Sequence, residues 1–195
     1  MLDNNQANSA YEFRSELSSN LMKRLNLSNI MQVPRLSHVS LSVGCGKYFK
    51  DSKKMQFIFD QMKVISGQCP TRAKAKKSIS QFGIREGMVV GIFVTLRKRA
   101  MYDFLDRLIY VAMPRMRDFR GMSVKGFDKK GNYNFGIESH DVFLEADDDL
   151  LLFGLNVSIA TTANNDYNAY MLLSSMNVPF KDGDLLKNQS GESNG

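Results

Sequence analysis

The sequence contains few cysteines, which build disulfide scaffolds and zinc sites, and no apolar run long enough to span a membrane. Among its 195 residues there are two cysteines, Cys45 and Cys69, and no tryptophan. Two cysteines without a Cys-x-x-Cys spacing argue against a disulfide framework and against a structural zinc site. The longest apolar runs are far shorter than the ~20 residues of a membrane-spanning helix, so no membrane partner is expected. With 43% hydrophobic and 24% charged residues, the composition is that of a globular protein in a reducing compartment.

Residues that carry catalysis are also scarce. His38 and His140 are the only histidines, and neither has a cysteine or carboxylate at metal-ligand spacing. Residues 42–47 include Gly44 and Gly46, but a phosphate-binding loop needs four residues between its glycines. We therefore expect that the protein is not an enzyme and that it binds no metal and no cofactor. The two glycines are expected to let another backbone, of protein or RNA, approach closely.

The charges are divided unevenly along the chain. Residues 1–130 contain 24 Lys and Arg against 10 Asp and Glu, a net charge of +14, whereas residues 131–195 have a net charge of −8. This asymmetry favours two different partners: an anionic one for the first part and a basic protein for the acidic stretch 131–160. The alternative is that the charges are only unevenly distributed over an ordinary solvated surface and mark no partner.

The strongest local signal is a basic segment between Pro70 and Arg85. It contains five Lys and Arg residues, no acidic residue, and small residues between the cations. Cations in this arrangement can displace counterions from phosphates. We predict that residues 71–85 form a long, mobile basic loop that orders against a nucleic-acid backbone. A solvated loop without a partner is the alternative.

Hydrophobic periodicity predicts a mixture of helices and strands without a regular strand–helix–strand alternation. The fold class is therefore α+β, an antiparallel sheet with helices packed on one face. Residues 1–10 are expected to be a flexible N-terminus, 11–180 the folded domain and 181–195 a disordered tail. Asp3 stands where a targeting signal has basic residues, so no cleavable targeting segment is expected. The predicted helices cover 11–26, 51–66, 99–113 and 165–176, and the predicted strands 39–43, 89–96, 133–137 and 155–161.

Several motifs occur in an order that resembles a known family. The most specific are Pro-Arg-x-Arg-Asp-Phe-Arg-Gly at 114–121 and Phe-Asp-x-x-Gly-Asn-Tyr at 127–133. Shorter matching blocks precede them at residues 31–35, 65–68, 74–78, 82–87 and 94–97. Over about residues 11–180 the chain resembles the bacterial-type family of large-subunit ribosomal protein five.

The resemblance implies a non-enzymatic, RNA-binding constituent of the large ribosomal subunit. Proteins of this family attach 5S rRNA to large-subunit rRNA in the central protuberance, beside other central-protuberance proteins. They also contact peptidyl-site tRNA and form an intersubunit bridge with small-subunit ribosomal protein thirteen. The implied location is a bacterial-type ribosome, in the cytoplasm or in an organelle such as the mitochondrial matrix. A stand-alone RNA-binding module that does not stay on ribosomes is the alternative function.

The same resemblance assigns individual residues to these partners. The 5S rRNA residues implied are Arg35, Ser40, Ser42, Gly44, Gly46, Thr95 and Arg97. The tRNA residues implied are Arg72, Lys74, Lys76, Lys77 and Ser78. The intersubunit-bridge residues implied are Arg115, Arg117, Arg120 and Glu145.

Overall fold

The centre of the fold is a five-stranded sheet with the strand order β2-β3-β1-β5-β4. The computed structural model describes residues 17–46, 48, 51–117, 119–146 and 151–181. The pairs β1–β3, β2–β3 and β4–β5 are antiparallel. The strands are β1 (Leu36–Gly44), β2 (Thr71–Lys74), β3 (Val89–Leu96), β4 (Tyr133–Ile137) and β5 (Leu155–Thr161).

Helices connect and follow these strands. Helix α1 is seen over residues 17–24, and the next helices are α2 (Ser52–Ser66), α3 (Lys98–Arg107) and α4 (Asp166–Ser175). The Asp51 side chain caps α2 by accepting hydrogen bonds from the backbone N–H groups of the second and third helical residues. Gly67, with φ of 67°, ends α2 in the left-handed conformation that glycine adopts readily. Helix α3 continues through a π-helical segment, Leu108–Ala112, to Met113–Arg115.

The described chain divides into two compact units. Residues 17–36, 121–132 and 161–181 belong to one unit, and the described residues of 37–120 and 133–160 belong to the other. Most of the sheet, with α2 and α3, lies in the second unit. Helices α1 and α4 lie in the first.

In the second unit, the central strands bury every other side chain. Val39, Leu41 and Val43 of β1 are at most 3% exposed, and so are Ile92, Val94 and Leu96 of β3. The residues between them are small or polar, apart from Phe93, and they are exposed or half-buried. Because successive strand side chains point to opposite faces, one face of these strands is core and the other remains open. We call this second surface the open face.

In the first unit, α1 and α4 share a small core of Leu21, Val33 and Leu172. The Phe-Asp-x-x-Gly-Asn motif forms a tightly bonded turn beside α4. Asp128 accepts hydrogen bonds from the backbone N–H groups of Lys130 and Asn132 at 2.8 and 3.0 Å. Asp166, the first residue of α4, accepts others from the backbone N–H groups of residues 129 and 131, at 3.0 and 2.9 Å. These bonds explain why the motif needs its aspartate, and the positive φ of Gly131 explains its glycine.

The α+β class with an antiparallel sheet is confirmed, and each predicted strand and helix has a counterpart in the described residues, although residues 11–16 of the first predicted helix lie outside them. The basic segment differs from the prediction, because its first four residues, Thr71–Lys74, form strand β2 at the sheet edge. The sequence hid this strand because its residues, Thr-Arg-Ala-Lys, show no apolar period. The flexible N-terminus and the disordered tail, predicted for 1–10 and 181–195, lie outside the described residues except for Lys181. The division into domains stays a prediction.

None of the helices in the described ranges combines the length and the apolar character that crossing a bilayer requires.

Gly131→Ala should destabilise the protein strongly. Gly131 has φ of +80°, and a Cβ there would lie 2.5 Å from the carbonyl oxygen of Ala163. Backbone strain and this clash should lower the free energy of unfolding by about 2 kcal/mol or more in urea denaturation. Gly44→Ala is the matched control, since a Cβ at Gly44 meets nothing within 4 Å. It should change stability by no more than about 1 kcal/mol. Equal losses in both variants would contradict this account of the turn.

Candidate nucleic-acid interface

The residues assigned to 5S rRNA come from two distant segments that the sheet places side by side. In the β1–β3 pairing, Ser40 lies opposite Thr95, and their hydroxyl oxygens are 3.5 Å apart. The next pairs on the same face are Ser42 with Phe93 and Gly44 with Gly91. Strand β2 extends these two rows, with Thr71 opposite Phe93 and Ala73 opposite Gly91. The strand register therefore places four of the seven assigned residues on one continuous surface, the open face.

Glycines leave part of this surface without side chains. A Cβ at Gly44 or Gly46 would have no neighbour within 4 Å, so packing inside the protein does not require glycine at either position. Gly91 differs, because a Cβ there would lie 3.2 Å from the carbonyl oxygen of Val43. Cys45 is buried between the two open glycines, and burial raises the pKa of its thiol. The site thus offers room for a close backbone approach and no activated nucleophile.

Two arginines complete the assigned set. Arg97 directly follows β3 and keeps an extended backbone, with φ of −136° and ψ of 160°. The alternation of β3 therefore continues to Arg97, and its exposed side chain follows Phe93 and Thr95 on the open face. Arg35 is exposed and directly precedes β1. Its backbone N–H donates to Thr162 Oγ1 at 2.9 Å, within the first unit.

Three of the five residues assigned to tRNA, Lys76, Lys77 and Ser78, lie on a hairpin that joins β2 to β3, and the other two, Arg72 and Lys74, lie in β2. Beyond the strands, Ala75 N–H donates to the Met88 carbonyl at 2.8 Å, and Ile79 and Ile84 form an antiparallel bridge. Ser78 Oγ accepts a hydrogen bond from the Glu86 N–H at 3.0 Å. The segment beyond β2 is thus a bonded hairpin and not an irregular loop. We call residues 75–88 the basic hairpin. The three lysines assigned to tRNA, Lys74, Lys76 and Lys77, are all exposed.

Arg72 has partners inside the protein. It pairs with Ile92 in the sheet register, so it lies on the core side of β2 rather than on the open face. Its guanidinium donates to Gln56 Oε1 at 2.6 Å and lies 4.8 Å from the ring centroid of Phe59, both on α2. These contacts attach the edge strand to α2. The assignment of Arg72 to tRNA stays a prediction, as do the other site assignments.

The residues assigned to the intersubunit bridge lie near the end of the α3 region and in the acidic stretch. Arg115, Arg117 and Arg120 are exposed. Glu145 accepts a hydrogen bond from Arg107 Nη1 at 3.0 Å, and both side chains are about one-third exposed. Partial burial would raise the pKa of Glu145, but the hydrogen bond and charge of Arg107 lower it below its ordinary value. Asp147–149 of the acidic stretch lie outside the described residues.

Sequence reasoning missed Phe93 as a residue of the site. Its ring is 41% exposed in the middle of the open face. The apolar run from Val89 to Leu96 predicts a buried strand, which conceals the alternation. The signal is nevertheless present, because Thr95 and Arg97 follow Phe93 at two-residue steps.

No group of three or more histidine, cysteine or acidic side chains in the described part of the chain is arranged to hold a metal ion.

Glu145→Gln should lower the free energy of unfolding at pH 7 by up to about 1 kcal/mol, because the partly exposed pair with Arg107 is screened by solvent. Since the folded-state pKa of Glu145 is lowered, this contribution is present above the pKa of the unfolded glutamate. It disappears as the pH falls through the lower folded-state pKa. Urea denaturation at pH 7 and near pH 3 should therefore show a difference between the two proteins only at pH 7. A difference that persists in acid would contradict the assignment of the pair.

Comparison with known proteins agrees with the motifs and the fold. The family model described as ribosomal protein L5 matches residues 29–85, and the model for the C-terminus of the same ribosomal family matches residues 89–180. Curated relatives named large ribosomal subunit protein uL5 match most of the chain.

Three relatives show the extent of the match. The protein of Syntrophotalea carbinolica is 46% identical over 86% of this chain and 92% of its own length. That of Helicobacter hepaticus is 44% identical over 88% of this chain and 96% of its own. That of Geotalea daltonii is 46% identical over 87% of this chain and 96% of its own. The chain therefore belongs to the ribosomal protein L5 family, whose members are structural, RNA-binding proteins of the large ribosomal subunit and not enzymes.

Proposed function

We propose that this protein, a structural constituent of the large ribosomal subunit, binds 5S rRNA through its open face. In this proposal it attaches the 5S rRNA to large-subunit rRNA in the central protuberance. The observation that carries the proposal is the shared register of Ser40, Ser42, Gly44 and Thr95. The family resemblance implies these residues in two segments about 50 residues apart, and the pairing of β1 with β3 brings them onto one surface.

The chemistry of the open face suits an RNA backbone. Serine and threonine hydroxyls both donate and accept hydrogen bonds, so they can pair with 2′-hydroxyls and with phosphate oxygens. Gly44 and Gly46 leave space for a sugar or phosphate to approach the strand. Arg97 supplies a positive charge at the end of the surface. Contacts of this kind position an RNA without reading its bases.

The basic hairpin is proposed to contact peptidyl-site tRNA. Its lysines, with Lys74 at its base, are exposed, and Arg72 is exposed too but is bonded to Gln56 of α2. Lysine contacts to phosphate are independent of sequence, which suits a surface that must accept every tRNA in turn. The exposed Ile79 and Phe82 near the tip add apolar contact area.

The third proposed contact is the intersubunit bridge to small-subunit ribosomal protein thirteen. Arg115, Arg117 and Arg120 supply exposed cations, and the acidic stretch that includes Glu145 supplies the opposite charge. An acidic surface next to rRNA would be repelled, so a Lys/Arg-rich protein is the expected neighbour there. The proposed setting is a bacterial-type ribosome, in a bacterial cytoplasm or an organelle matrix, among other central-protuberance proteins.

Two variants should separate the RNA partners. Arg97→Glu should weaken 5S rRNA binding by about tenfold or more, because a charge-assisted contact is replaced by repulsion. The triple variant Lys74→Ala, Lys76→Ala and Lys77→Ala should leave 5S rRNA binding nearly unchanged and speed tRNA dissociation from the peptidyl site. The measurements are a 5S rRNA binding curve and a tRNA dissociation rate on assembled ribosomes for both variants.

Arg99→Glu is the matched control for Arg97→Glu. It makes the same change in charge two residues away, but Arg99 pairs with Asp103 within α3 at 3.6 Å. It should weaken 5S rRNA binding much less. If the triple lysine variant lost 5S rRNA binding and kept tRNA, the two RNAs would be assigned to the wrong surfaces. If the protein bound RNA but did not sediment with large subunits, the stand-alone module would be the better description.

A further inference from the structure

We propose that Phe93 is a stacking contact for an unpaired base of the bound rRNA. This inference rests on the proposed function of the open face and adds to it a residue that the motifs did not assign. It also adds a kind of contact, stacking of a base on an aromatic ring, that the hydroxyls and glycines of the open face do not supply.

The exposure of Phe93 is the first argument. Phe93 is 41% exposed on a face otherwise lined by small and polar groups, so its neighbours cover it only in part. Its cross-strand neighbours are Ser42 on one side and Thr71 on the other. Neither is large enough to cover the ring.

The space beside the ring is the second argument. The next row of cross-strand neighbours on this face lies two residues away from Phe93 along the strand. It consists of Gly44, Gly91 and Ala73. The two rows are about 6.6 Å apart, because each strand residue advances about 3.3 Å. A flat group in van der Waals contact with the ring needs about 3.5–4.0 Å. A base therefore fits beside Phe93 above the glycines, where larger side chains would block it.

The surrounding charge selects RNA over a protein as the occupant. Arg97 lies on the same face, about 13 Å further along the extended strand, at a position to contact phosphate while a base stacks on Phe93. A docking surface for a protein would normally offer a larger apolar patch around the ring. Here the surroundings are hydroxyls and glycines, and the part of the chain that contains them is strongly basic. Aromatic rings in such surroundings bind bases by stacking, with little dependence on sequence.

The first test uses the absence of tryptophan from the chain. Phe93→Trp introduces a single tryptophan at the proposed stacking position, which can be excited at wavelengths where the seven tyrosines hardly absorb. We expect its emission to be quenched when 5S rRNA binds. Tyr110→Trp is the matched control, because Tyr110 is 61% exposed but lies in the π-helical segment rather than on the open face. Quenching at position 110 and none at position 93 would overturn the proposal.

The second test separates stacking from charge. Phe93→Ala should raise the dissociation constant for 5S rRNA about 5- to 150-fold, the range that corresponds to one base stack of ~1–3 kcal/mol. Phe93→Tyr should keep most of the affinity, since it retains the ring. The slope of log K against log salt should stay the same in Phe93→Ala and become shallower by about 0.7–0.9 in Arg97→Ala.

The outcomes distinguish the inference from the proposed function. If the wild-type protein binds 5S rRNA and Phe93→Ala binds it equally well, the stacking role is wrong and the proposed function stands. If the wild-type protein does not bind 5S rRNA, both are wrong. If Phe93→Ala shows both a reduced affinity and an altered unfolding midpoint, the lost affinity could come from a change in folding. The fluorescence of Phe93→Trp then decides whether Phe93 stacks, because that test requires only that the Trp variant folds.

Discussion

The alternation of burial along β1 and β3 is the constraint on which the site depends. Val39, Leu41 and Val43 point into the core, so Ser40, Ser42 and Gly44 must point away from it. The free energy gained by burying the first set therefore fixes the direction of the second. A shift of register by one residue would place the serines in the core and the valines in solvent, which the hydrophobic effect strongly disfavours. The stability of the core and the presentation of the open face are two results of the same strand pairing.

The edge of the sheet and the α2 helix extend this arrangement. Arg72 joins β2 to α2 through Gln56 and the ring of Phe59, and strand β2 in turn supports the basic hairpin. The lysines on the hairpin are thus carried by the same sheet as the open face, but on a separate projection. This gives a physical reason why one fold could carry the two proposed RNA-facing surfaces. The hydroxyl- and glycine-lined face suits one RNA held permanently, and the exposed lysines suit one that is exchanged.

Most of the fold was predictable from the sequence, since long periodic segments indicate their own structure. The alternation of valine and serine in 39–43 predicted β1, and the apolar spacing in 99–113 predicted α3. Strand β2 was not predictable by that signal, because its edge position leaves Thr71–Lys74 largely exposed and removes the need for apolar residues. The assigned 5S rRNA residues came from family motifs, and only the register showed that four of them share a face. Phe93 was missed because an exposed ring inside an apolar run looks like core. The ion pair of Glu145 with Arg107 joins residues 38 positions apart, which no local pattern reveals.

The central claim is that 5S rRNA lies against the open face, and directed hydroxyl-radical cleavage tests it most directly. An iron chelate is attached at Thr71→Cys, on the open face at the sheet edge, in a protein that also carries Cys69→Ser; Cys45 is buried and does not react. The same chelate at Lys53→Cys, on α2 and therefore on the core side of the sheet, is the comparison. The account predicts strand cleavage of 5S rRNA from position 71 and little or none from position 53. Cleavage of 5S rRNA from position 53 with none from position 71 would contradict it.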